Sequence, residues 1–549
     1  MKKVILSIAA ILLLLGFSGL VSLSTKAETI VTLEIDAATK VHSFHPEMLG
    51  SNIGIWENRN YYPKANPKLV NIIEGAGLNL LRFPAGGEAD ISYFDRTNSY
   101  VWYQGPAPYT RTIRADHLDA FISLCKQTGA EPLIVVNAKI NNPEMAADIV
   151  RYCNVEHDYN VKYFEIGNET QYWRTVTGEE YAERMAVYAE TMKAVDPDIL
   201  IMNAAPAGPT SVELWLTPTL KTQGDILDAI TLHYYPLYDG VKDPAHPMYP
   251  SIDNLLYWDY GEEASVWDQM GSIKYIDRFV KSNSDSLVNL RNQYAPNALI
   301  GLTEVSPVAG GNAESGVSDT LTNALWFGDV LGRLAYNGVD FTNQFLLQSS
   351  PQKYAMIDSY YNIRPTFYAF SMYSRYFGDV MVETTSSDEG NLTIWASKKT
   401  GEEDKLYVMV VNKSQNTDLN ASINFKNFKP ASKAFKWELN SASVSSLDAT
   451  INGVSVDENC YLPAIDGVLV DSVSNNFTYT YPAHSVTSFE FTVKGQGNEV
   501  SKAATNAAHS DKEPGSVSEA VKEVLFPTNP TEPDTPIENE NMCEGNVFK

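Results

Sequence analysis

Short apolar runs alternate with amphipathic segments along most of the chain. Eight runs rich in β-branched and aromatic residues lie at 49–56, 78–87, 131–138, 161–169, 199–206, 229–236, 298–306 and 340–347. Helical periodicity marks intervening segments that end at Gly129, Pro197 and Gly338, and the last of these begins at Ser318 or Asp319. Eight strands alternating with helices predict an α/β fold, a (β/α)₈ barrel. The alternative is a doubly wound open sheet, which is disfavoured because no glycine-rich phosphate loop follows the first strand.

The pattern changes after the barrel, which we place at residues 46–378. In residues 379–495, apolar and polar positions alternate between Asn, Gly, Ser and Asp turns, which predicts an antiparallel β-sandwich. A short apolar run within residues 28–45 predicts an N-terminal strand that joins this sandwich. Residues 496–549 are acidic and rich in Pro, Asn, Glu and Thr, so they predict a disordered tail or linker.

Residues 1–27 have the organisation of a secretory signal peptide. Lys2 and Lys3 precede a long apolar run, and small residues near Ala27 offer a cleavage site. We therefore expect the chain to be secreted or displayed at the cell surface, with an uncleaved anchor as the alternative. No other segment is apolar enough over a sufficient length to span a bilayer.

Composition limits the partners and cofactors. A formal net charge of −26 over 549 residues disfavours nucleic acid and anionic membranes, because these ligands bind basic patches. Four cysteines are too few for a disulfide scaffold; Cys125 and Cys153 could pair or be buried thiols, and Cys460 and Cys543 have no evident partners. No Cys or His spacing matches a zinc site, so we predict no metal and no cofactor.

Two glutamates end predicted barrel strands. Glu169 follows the fourth strand and Glu304 ends the seventh, so the two should face each other at the C-terminal mouth, where such barrels hold their active sites. Glycosidic cleavage needs two opposed carboxyl groups, one protonated to serve the leaving oxygen and one ionised to attack or stabilise the anomeric carbon. The pair therefore predicts a glycoside hydrolase; a carboxyl separation of about 5–5.5 Å is the distance typical of a retaining one.

These motifs resemble those of clan A retaining glycoside hydrolases, and most of all the family 51 α-L-arabinofuranosidases. The resemblance covers about residues 45 to 495 and is carried by LRFPAGG at 81–87, VKYFEIGNE at 161–169, LHYYP at 232–236 and PAHSVTSFEF at 482–491. It implies an enzyme that acts on plant-type polysaccharides or oligosaccharides. It also implies that Glu169 is the acid/base, that Glu304 is the nucleophile, and that Asn168 bonds the sugar hydroxyl next to the reacting carbon.

The chain departs from the family pattern in two places. The family has an acidic residue before its nucleophile and a Trp after it, whereas Glu304 lies in TEVSP. The strand-two glycines are followed by Glu88 instead of Cys or Asn. Other clan A activities therefore stay open: endo-β-glucanase, β-xylosidase or xylanase, and β-glucuronidase.

Six further residues are candidates for contacting the substrate or the glutamates: Arg82, Asn137, Trp173, His233, Tyr235 and Gln344. Buried Arg82 needs a carboxylate partner, either Glu304 or one remote from the substrate. His233 and Tyr235 are two positions apart and so share a strand face, from which Tyr235 can reach Glu304. Asn137 ends strand three and Gln344 lies in strand eight, and each is a possible partner for a sugar hydroxyl. Trp173 is a candidate subsite wall.

The residues around each glutamate predict which one is protonated and which one is ionised. Tyr172 and Trp173 form an apolar rim that should raise the pKa of Glu169, whereas donors from Arg82 and Tyr235 should favour ionised Glu304. Two non-enzymatic alternatives are a sugar-binding barrel and a surface adhesin or scaffold. Retention of both carboxylates disfavours the first alternative, and no sorting signal supports the second.

Overall fold

The computed structural model describes residues 30–97, 105–257, 273–282, 286–310, 316–349 and 354–495; the predicted signal peptide and acidic tail lie outside these residues. The first thirteen strands are β1 (Val31–Ser43), β2 (Gly50–Asn52), β3 (Leu80–Phe83), β4 (Ser92–Asp95), β5 (Arg111–Arg114), β6 (Glu131–Val136), β7 (Tyr163–Ile166), β8 (Leu200–Asn203), β9 (Ala229–Tyr234), β10 (Leu237–Tyr238), β11 (Leu299–Val305), β12 (Val308–Ala309) and β13 (Phe341–Gln344). The C-terminal strands are β14 (Val380–Ser386), β15 (Leu392–Lys399), β16 (Glu402–Asn412), β17 (Leu419–Lys426), β18 (Pro430–Asn440), β19 (Thr450–Ile451), β20 (Val468–Asp471), β21 (Asn476–Tyr481) and β22 (Ser485–Val493).

The α-helices of the described residues connect and cover the strands. They are α1 (Pro67–Ala76), α2 (Ala115–Thr128), α3 (Pro143–Val150), α4 (Gly178–Lys193), α5 (Pro209–Ser211), α6 (Thr217–Gln223), α7 (Ile252–Leu256), α8 (Ile273–Asp277), α9 (Leu287–Tyr294), α10 (Leu321–Asn337) and α11 (Pro365–Tyr376). None of them combines the length and apolar character needed to cross a membrane.

Eight of the described strands close into a parallel barrel in the order β2, β3, β6, β7, β8, β9, β11, β13. Each of these strands lies inside one of the eight predicted apolar runs, so the predicted barrel is confirmed. Its interior contains an apolar layer that includes Leu80, Leu133, Met202 and Phe341. Because strand side chains repeat every two residues, Arg82 lies one layer above Leu80, toward the mouth.

Local signals set most helix ends. Thr177 and Glu180 form a capping box at the start of α4, and left-handed Gly338 ends α10. The predicted start of α10 at Ser318 or Asp319 is wrong, because the helix begins after Thr320. The first two backbone N–H groups of α10 instead donate to carbonyls of residues 446 and 444, so the C-terminal domain caps this helix.

The C-terminal strands form one curled sheet that encloses its own core. The strand order is β19-β18-β22-β16-β15-β14-β1-β17-β21, with β20 paired to β18. β1 joins this sheet, antiparallel to β14 and parallel to β17. The predicted β-sandwich is therefore confirmed, and the first described strand of the chain completes it.

Alternate positions of β15 serve two different cores. Leu392, Ile394 and Ala396 point into the core of the sandwich, whereas Trp395 packs into the core shared with the barrel. Gly332 in α10 makes this contact possible, since an added Cβ would lie 2.4 Å from the Trp395 ring. One face of the sheet therefore packs directly on a barrel helix.

The cysteines of the described residues are buried free thiols: Cys125, Cys153 and Cys460. The possible Cys125–Cys153 disulfide is therefore not formed. Burial raises the pKa of the Cys125 thiol well above its usual value, which makes it unreactive. Cys543 lies outside the described residues.

Candidate active site at the barrel mouth

Glu169 is presented by a sharp turn after β7. Gly167 has a φ of 91° and Glu169 a φ of 42°, so the chain reverses within three residues of the strand end. Glycine is required at 167 for a second reason, because a Cβ there would lie 2.8 Å from the Trp173 ring. The turn leaves the side chain of Glu169 22% exposed at the mouth.

Glu304 reaches the mouth through an irregularity in β11. The pairing of β11 shifts register after Leu302 on both sides, toward β9 and toward β13. Thr303 donates to buried Glu165 inside the barrel at 2.9 Å, and regular alternation would turn the next residue outward. The bulge instead aims Glu304 into the mouth, where its side chain is 5% exposed.

The two carboxylates and one imidazole meet at a single point. Oxygens of Glu169 and Glu304 and a ring nitrogen of His233 all lie within 4.8 Å of one another. The nearest oxygens of the two carboxyl groups therefore lie close enough for both groups to act on one glycosidic bond.

Arg82 ties the site together from beneath. Its side chain is fully buried, and it donates to Glu165 at 2.7 Å, Glu304 at 3.0 Å and Asn168 at 2.8 Å. Nη1 also donates to Asn52 at 2.8 Å. Burial opposes the charge of Arg82, but the two carboxylates outweigh it and raise its pKa. Arg82 therefore contacts Glu304, as one of the two sequence interpretations predicts, and also a carboxylate deeper in the barrel.

His233 and Tyr235 both face the site, as their spacing predicts. His233 Nδ1 lies 3.0 Å from Glu169 and 3.5 Å from Glu304, between the two carboxylates. The Tyr235 hydroxyl donates to Glu304 at 2.5 Å. Burial lowers the pKa of His233 to about 4, so its imidazole is neutral at neutral pH.

Burial makes the largest contribution to the pKa shifts of Glu169 and Glu304. Burial raises the pKa of Glu169 to about 7, with Arg82 opposing the shift. Burial also raises the pKa of Glu304, against His233, Arg82 and the Tyr235 hydrogen bond, which lower it. The predicted direction of the Arg82 and Tyr235 effects is therefore correct, but they do not cancel the cost of burying Glu304. Of the two glutamates at the mouth, Glu304 is the one that accepts hydrogen bonds from Arg82 and Tyr235, which favours it as the ionised partner.

Three predicted substrate contacts are bound to protein groups instead. Asn137 donates to the carbonyl of Ser92 and accepts from a backbone N–H. Gln344 accepts from Ser51 and donates to a carbonyl at 354. Trp173, the candidate subsite wall, lies beneath the turn and is 3% exposed, so little of its surface is open to a substrate. These side chains hold the loops in place.

Asp90 and Glu165 are site residues that the sequence interpretation missed. Asp90 accepts from Trp173 Nε1 at 2.6 Å and from the backbone N–H of Asn168 at 3.2 Å, which fixes the turn that carries Glu169. Burial raises the pKa of Asp90 to about 7, and Glu169 adds to the shift. The sequence does contain a sign of Glu165, because it is a charged residue within an apolar strand, four residues before Glu169. No comparable feature of the sequence points to Asp90.

Glu169, His233 and Glu304 also carry oxygen and nitrogen atoms of the kind that coordinate metal ions. However, Arg82 and Tyr235 already donate to the two different oxygens of Glu304. A guanidinium at 3.0 Å disfavours a second cation at the same carboxylate. The arrangement is better suited to proton transfer and nucleophilic attack.

Curated relatives match parts of the chain. α-L-Arabinofuranosidase C of Emericella nidulans is 28% identical over 172 residues, 26% of this chain and 32% of the relative. An intracellular exo-α-(1→5)-L-arabinofuranosidase of Streptomyces lividans is 24% identical over 275 residues, 40% of each chain. The chain thus spans about a third to a half of the length of the curated relatives it matches. No protein-family model matches it.

Solved structures share the fold over most of the chain. An α-L-arabinofuranosidase from Thermotoga maritima, in complex with arabinose, has a TM-score of 0.60 at 20% identity, covering 84% of this chain and 100% of that one. A bifunctional glucanase-xylanase from a metagenome library has the same TM-score at 17% identity, covering 84% and 99%. A family 51 arabinofuranosidase from Xanthomonas axonopodis pv. citri has a TM-score of 0.61 at 15% identity, covering 84% of this chain and 100% of that one. The resemblance to family 51 and to the barrel-plus-sandwich fold is therefore confirmed.

Proposed function

We propose that the chain is a retaining glycoside hydrolase, with α-L-arabinofuranosides as its preferred substrates. One observation carries the proposal: Glu169 and Glu304 approach within 4.8 Å at the barrel mouth, bridged by His233. The curated arabinofuranosidases that resemble the chain support the substrate class.

The two glutamates divide the work by their surroundings. Glu304, ionised and held by Arg82 and Tyr235, attacks the anomeric carbon and forms a glycosyl ester. Glu169, whose pKa is about 7, gives its proton to the glycosidic oxygen, and the leaving alcohol departs. Glu169 then takes a proton from water, the water attacks the ester, and Glu304 is released as a carboxylate.

Neighbouring side chains position these groups. Asn168 uses its carbonyl oxygen to accept from Arg82, which leaves its amide nitrogen for a sugar hydroxyl. Neutral His233, between the carboxylates, hydrogen-bonds Glu169 without adding a full positive charge that would ionise it. Trp173 and Asp90 hold the turn beneath.

A second candidate is an endo-acting β-glucanase or xylanase. This candidate is supported because the glucanase-xylanase structure and the arabinofuranosidase structure match the chain with the same TM-score of 0.60. Both candidates use the same two glutamates, so specificity has to be measured on substrates.

The test is hydrolysis by the purified chain of nitrophenyl arabinofuranoside, xyloside, glucoside and glucuronide, beside arabinan, arabinoxylan and β-glucan. We expect fastest cleavage of the arabinofuranoside, a first-formed product with retained anomeric configuration by NMR, and no loss of activity after chelation. Preference for β-glucan would select the second candidate. Absence of hydrolysis on every substrate, or inversion, would refute the proposed mechanism.

Export of the enzyme is a separate part of the proposal. It is supported by the charged and apolar organisation of residues 1–27. Mass spectrometry of the protein from culture medium should find a mature N-terminus near Ala27. Intact residues 1–27 on a membrane-bound protein would instead show an anchor.

A further inference from the structure

Two short surface turns, one from each domain, share the same hydrogen-bond pattern. The first turn is residues 358–362 of the barrel, and the second turn is residues 457–461, between β19 and β20 of the sandwich. Each begins with an Asp whose carboxylate accepts from the backbone N–H groups of the third and fifth residues at 2.8–3.0 Å. The N–H of each Asp donates to the carbonyl of the fifth residue, and the N–H of the fourth residue donates to the carbonyl of the Asp. These bonds fix the backbone of both turns.

The two turns contact each other and the barrel. The Cys460 thiol of the second turn donates to the carbonyl of Tyr361 in the first turn at 3.6 Å. The Tyr361 hydroxyl donates to Asn60 at 2.8 Å, and Asn71 of α1 donates to the carbonyl of Asn459 at 2.9 Å. The turns therefore form one continuous surface that is anchored on the barrel.

This surface lies on the same side of the barrel as the candidate active site. The first turn belongs to the connection after β13, which leaves the barrel at the C-terminal mouth. Phe345 begins this connection beside Glu304, since a Cβ on Gly86 would lie 3.5 Å from the Phe345 ring and 3.7 Å from Glu304 Oε1. Farther along it, Gln348 donates to the carbonyl of Asp358 at 3.0 Å, which joins the strand extension to the first turn.

Each turn presents an exposed tyrosine. Tyr360 is 82% exposed, the highest value among the large apolar side chains of the described residues, and Tyr461 is 53% exposed. An aromatic ring in water gains free energy when a ligand covers it. Because tyrosine has few rotatable bonds and these two stand on fixed turns, binding costs them little conformational entropy. We call Tyr360 and Tyr461 the tyrosine platform.

Charge and shape restrict the ligand of the platform. The two turns contain three carboxylates, Asp358, Asp457 and Glu458, and neither turn contains Lys or Arg. An anionic polymer would therefore meet like charge. A neutral sugar ring has a face of C–H groups that packs on an aromatic ring, while its hydroxyl groups stay in water. A polysaccharide repeats such faces, so one part of a chain can contact the platform while another part occupies the mouth.

We propose that the tyrosine platform binds a neutral polysaccharide outside the catalytic centre and so holds long substrates at the barrel mouth. Its effect on hydrolysis rests on the proposed glycosidase function, whereas the binding itself needs neither Glu169 nor Glu304. The platform should lower the KM for polymers and leave small glycosides unaffected.

The test measures polymer binding and hydrolysis separately on the full chain. Affinity gel electrophoresis in arabinan, arabinoxylan and β-glucan measures binding in a Glu304→Ala background, which does not consume the polymer. We expect Tyr360→Ala/Tyr461→Ala to bind the preferred polymer at least fivefold more weakly. Tyr360→Phe/Tyr461→Phe should bind it normally, because stacking needs the ring and not the hydroxyl. In the active chain, the alanine pair should raise the KM for that polymer and leave kcat/KM for a nitrophenyl glycoside unchanged.

The matched control is Val187→Ala, which truncates a half-exposed apolar side chain on α4, outside the platform. Thermal unfolding shows whether each variant is folded, and the phenylalanine pair keeps the test decisive if the alanine pair is not. Equal polymer binding in the alanine pair and the control would overturn the proposal. So would failure of the Glu304→Ala chain to bind any of the three polymers, or tighter binding of polygalacturonate than of the neutral polymers. A dimer in sedimentation experiments that dissociates in the alanine pair would assign the platform to a second copy of the chain instead. If no glycoside is hydrolysed, the proposed function fails and the binding measurement still decides on the platform.

Discussion

At the residue scale, the candidate site depends on a buried cation that serves two carboxylates. Arg82 is fully buried and bonds Glu165 and Glu304 through different nitrogens, and it also bonds Asn168 beside Glu169. The planar guanidinium has donors in fixed directions, which suits it to hold several strands in register. Its removal would leave two buried carboxylates without their cation.

Substitution of each glutamate should give a different phenotype. Glu169→Ala should slow substrates with poor leaving groups by roughly 10²–10⁴-fold, the usual contribution of general acid catalysis, and activated aryl glycosides much less. Azide should partly rescue it, because azide needs no deprotonation to attack the glycosyl ester. Glu304→Ala should abolish retaining turnover on every substrate, because no ester can form.

Steady-state kinetics with leaving groups of graded pKa separate the two variants, with and without azide. Glu165→Gln is a useful comparison, since it alters a buried partner of Arg82 without touching the reacting atoms. Exchanged phenotypes would reverse the assigned roles. Full activity in both alanine variants would contradict the proposed mechanism.

Asp90→Asn should change the pH dependence of both activity and stability. The carboxyl of Asp90 interacts with Glu169 in the folded protein, and burial raises the pKa of each to about 7. Loss of the Asp90 charge should lower the pKa of Glu169, so the basic limb of kcat/KM, near pH 7 in the wild type, should move to lower pH. A limb that stays in place would show that the two groups are not coupled.

The stability effect of Asp90 has a definite sign. Its pKa rises from 3.8 to about 7 on folding, so its contribution is fully present below pH 3.8 and is lost as the pH rises through about 7. The free energy of unfolding should therefore fall less steeply across this window in Asp90→Asn, measured by urea unfolding. Asp116→Asn is the opposite control, because the pKa of Asp116 is lowered and its contribution is lost as the pH falls.

At the scale of elements, one helix and one sheet face form the contact between the domains. α10 lies against the face of β15 that carries Trp395, and a Cβ at Gly328 would lie 2.9 Å from Val486 of β22. Small residues on the helix allow its backbone to approach the sheet closely. The domains are therefore joined by a packed core, and their relative position is set by side-chain fit.

A buried ion pair crosses this contact. Lys413 and Asp329 are both fully buried, with Nζ 3.0 Å from the carboxylate, and burial lowers the pKa of Lys413. Lys413→Met should destabilise the protein by roughly 3–5 kcal/mol, because it leaves Asp329 buried without its closest cation. The double variant Lys413→Met/Asp329→Leu should recover most of this loss, as measured by chemical unfolding.

A surface pair provides the matched control. Lys426 and Glu34 are 59% and 42% exposed at a separation of 3.1 Å. Lys426→Met should therefore leave the free energy of unfolding nearly unchanged, because solvent screens the exposed pair. Similar losses for Lys413→Met and Lys426→Met would show that the buried pair contributes little.

At the scale of the whole molecule, the described residues form a barrel and a sandwich that share a core, and the sequence predicts an acidic tail beyond them. Truncation after Gly495 should leave the unfolding temperature and any hydrolytic activity nearly unchanged, because residues 496–549 lack the apolar content to fold. Differential scanning calorimetry and the chromogenic assay measure both properties.

Truncation within the sandwich is the control for the tail. Ending the chain after Ser474 removes β21 and β22, including Phe489 and Phe491 of the sandwich core. That variant should not fold stably. A large loss of stability on removal of the tail alone would show that it docks on the folded domains.

The sequence by itself determined the order of strands and helices and the two glutamates at strand ends. Hydrophobic periodicity is a local property, and a barrel built from it places the ends of β7 and β11 at one mouth whatever the side-chain details. The spacing of His233 and Tyr235 likewise determined that they share a face.

Only the tertiary structure decided the rest of the site. The bulge at Thr303, the bonds of Asp90 to the Glu169 turn, and the capping of α10 by the C-terminal domain all join residues far apart in the chain. Asn137, Trp173 and Gln344 are polar or aromatic residues at the right positions, yet the structure uses their hydrogen bonds internally. A side chain's partners depend on which other chain segments reach it, and periodicity within one segment carries no record of them.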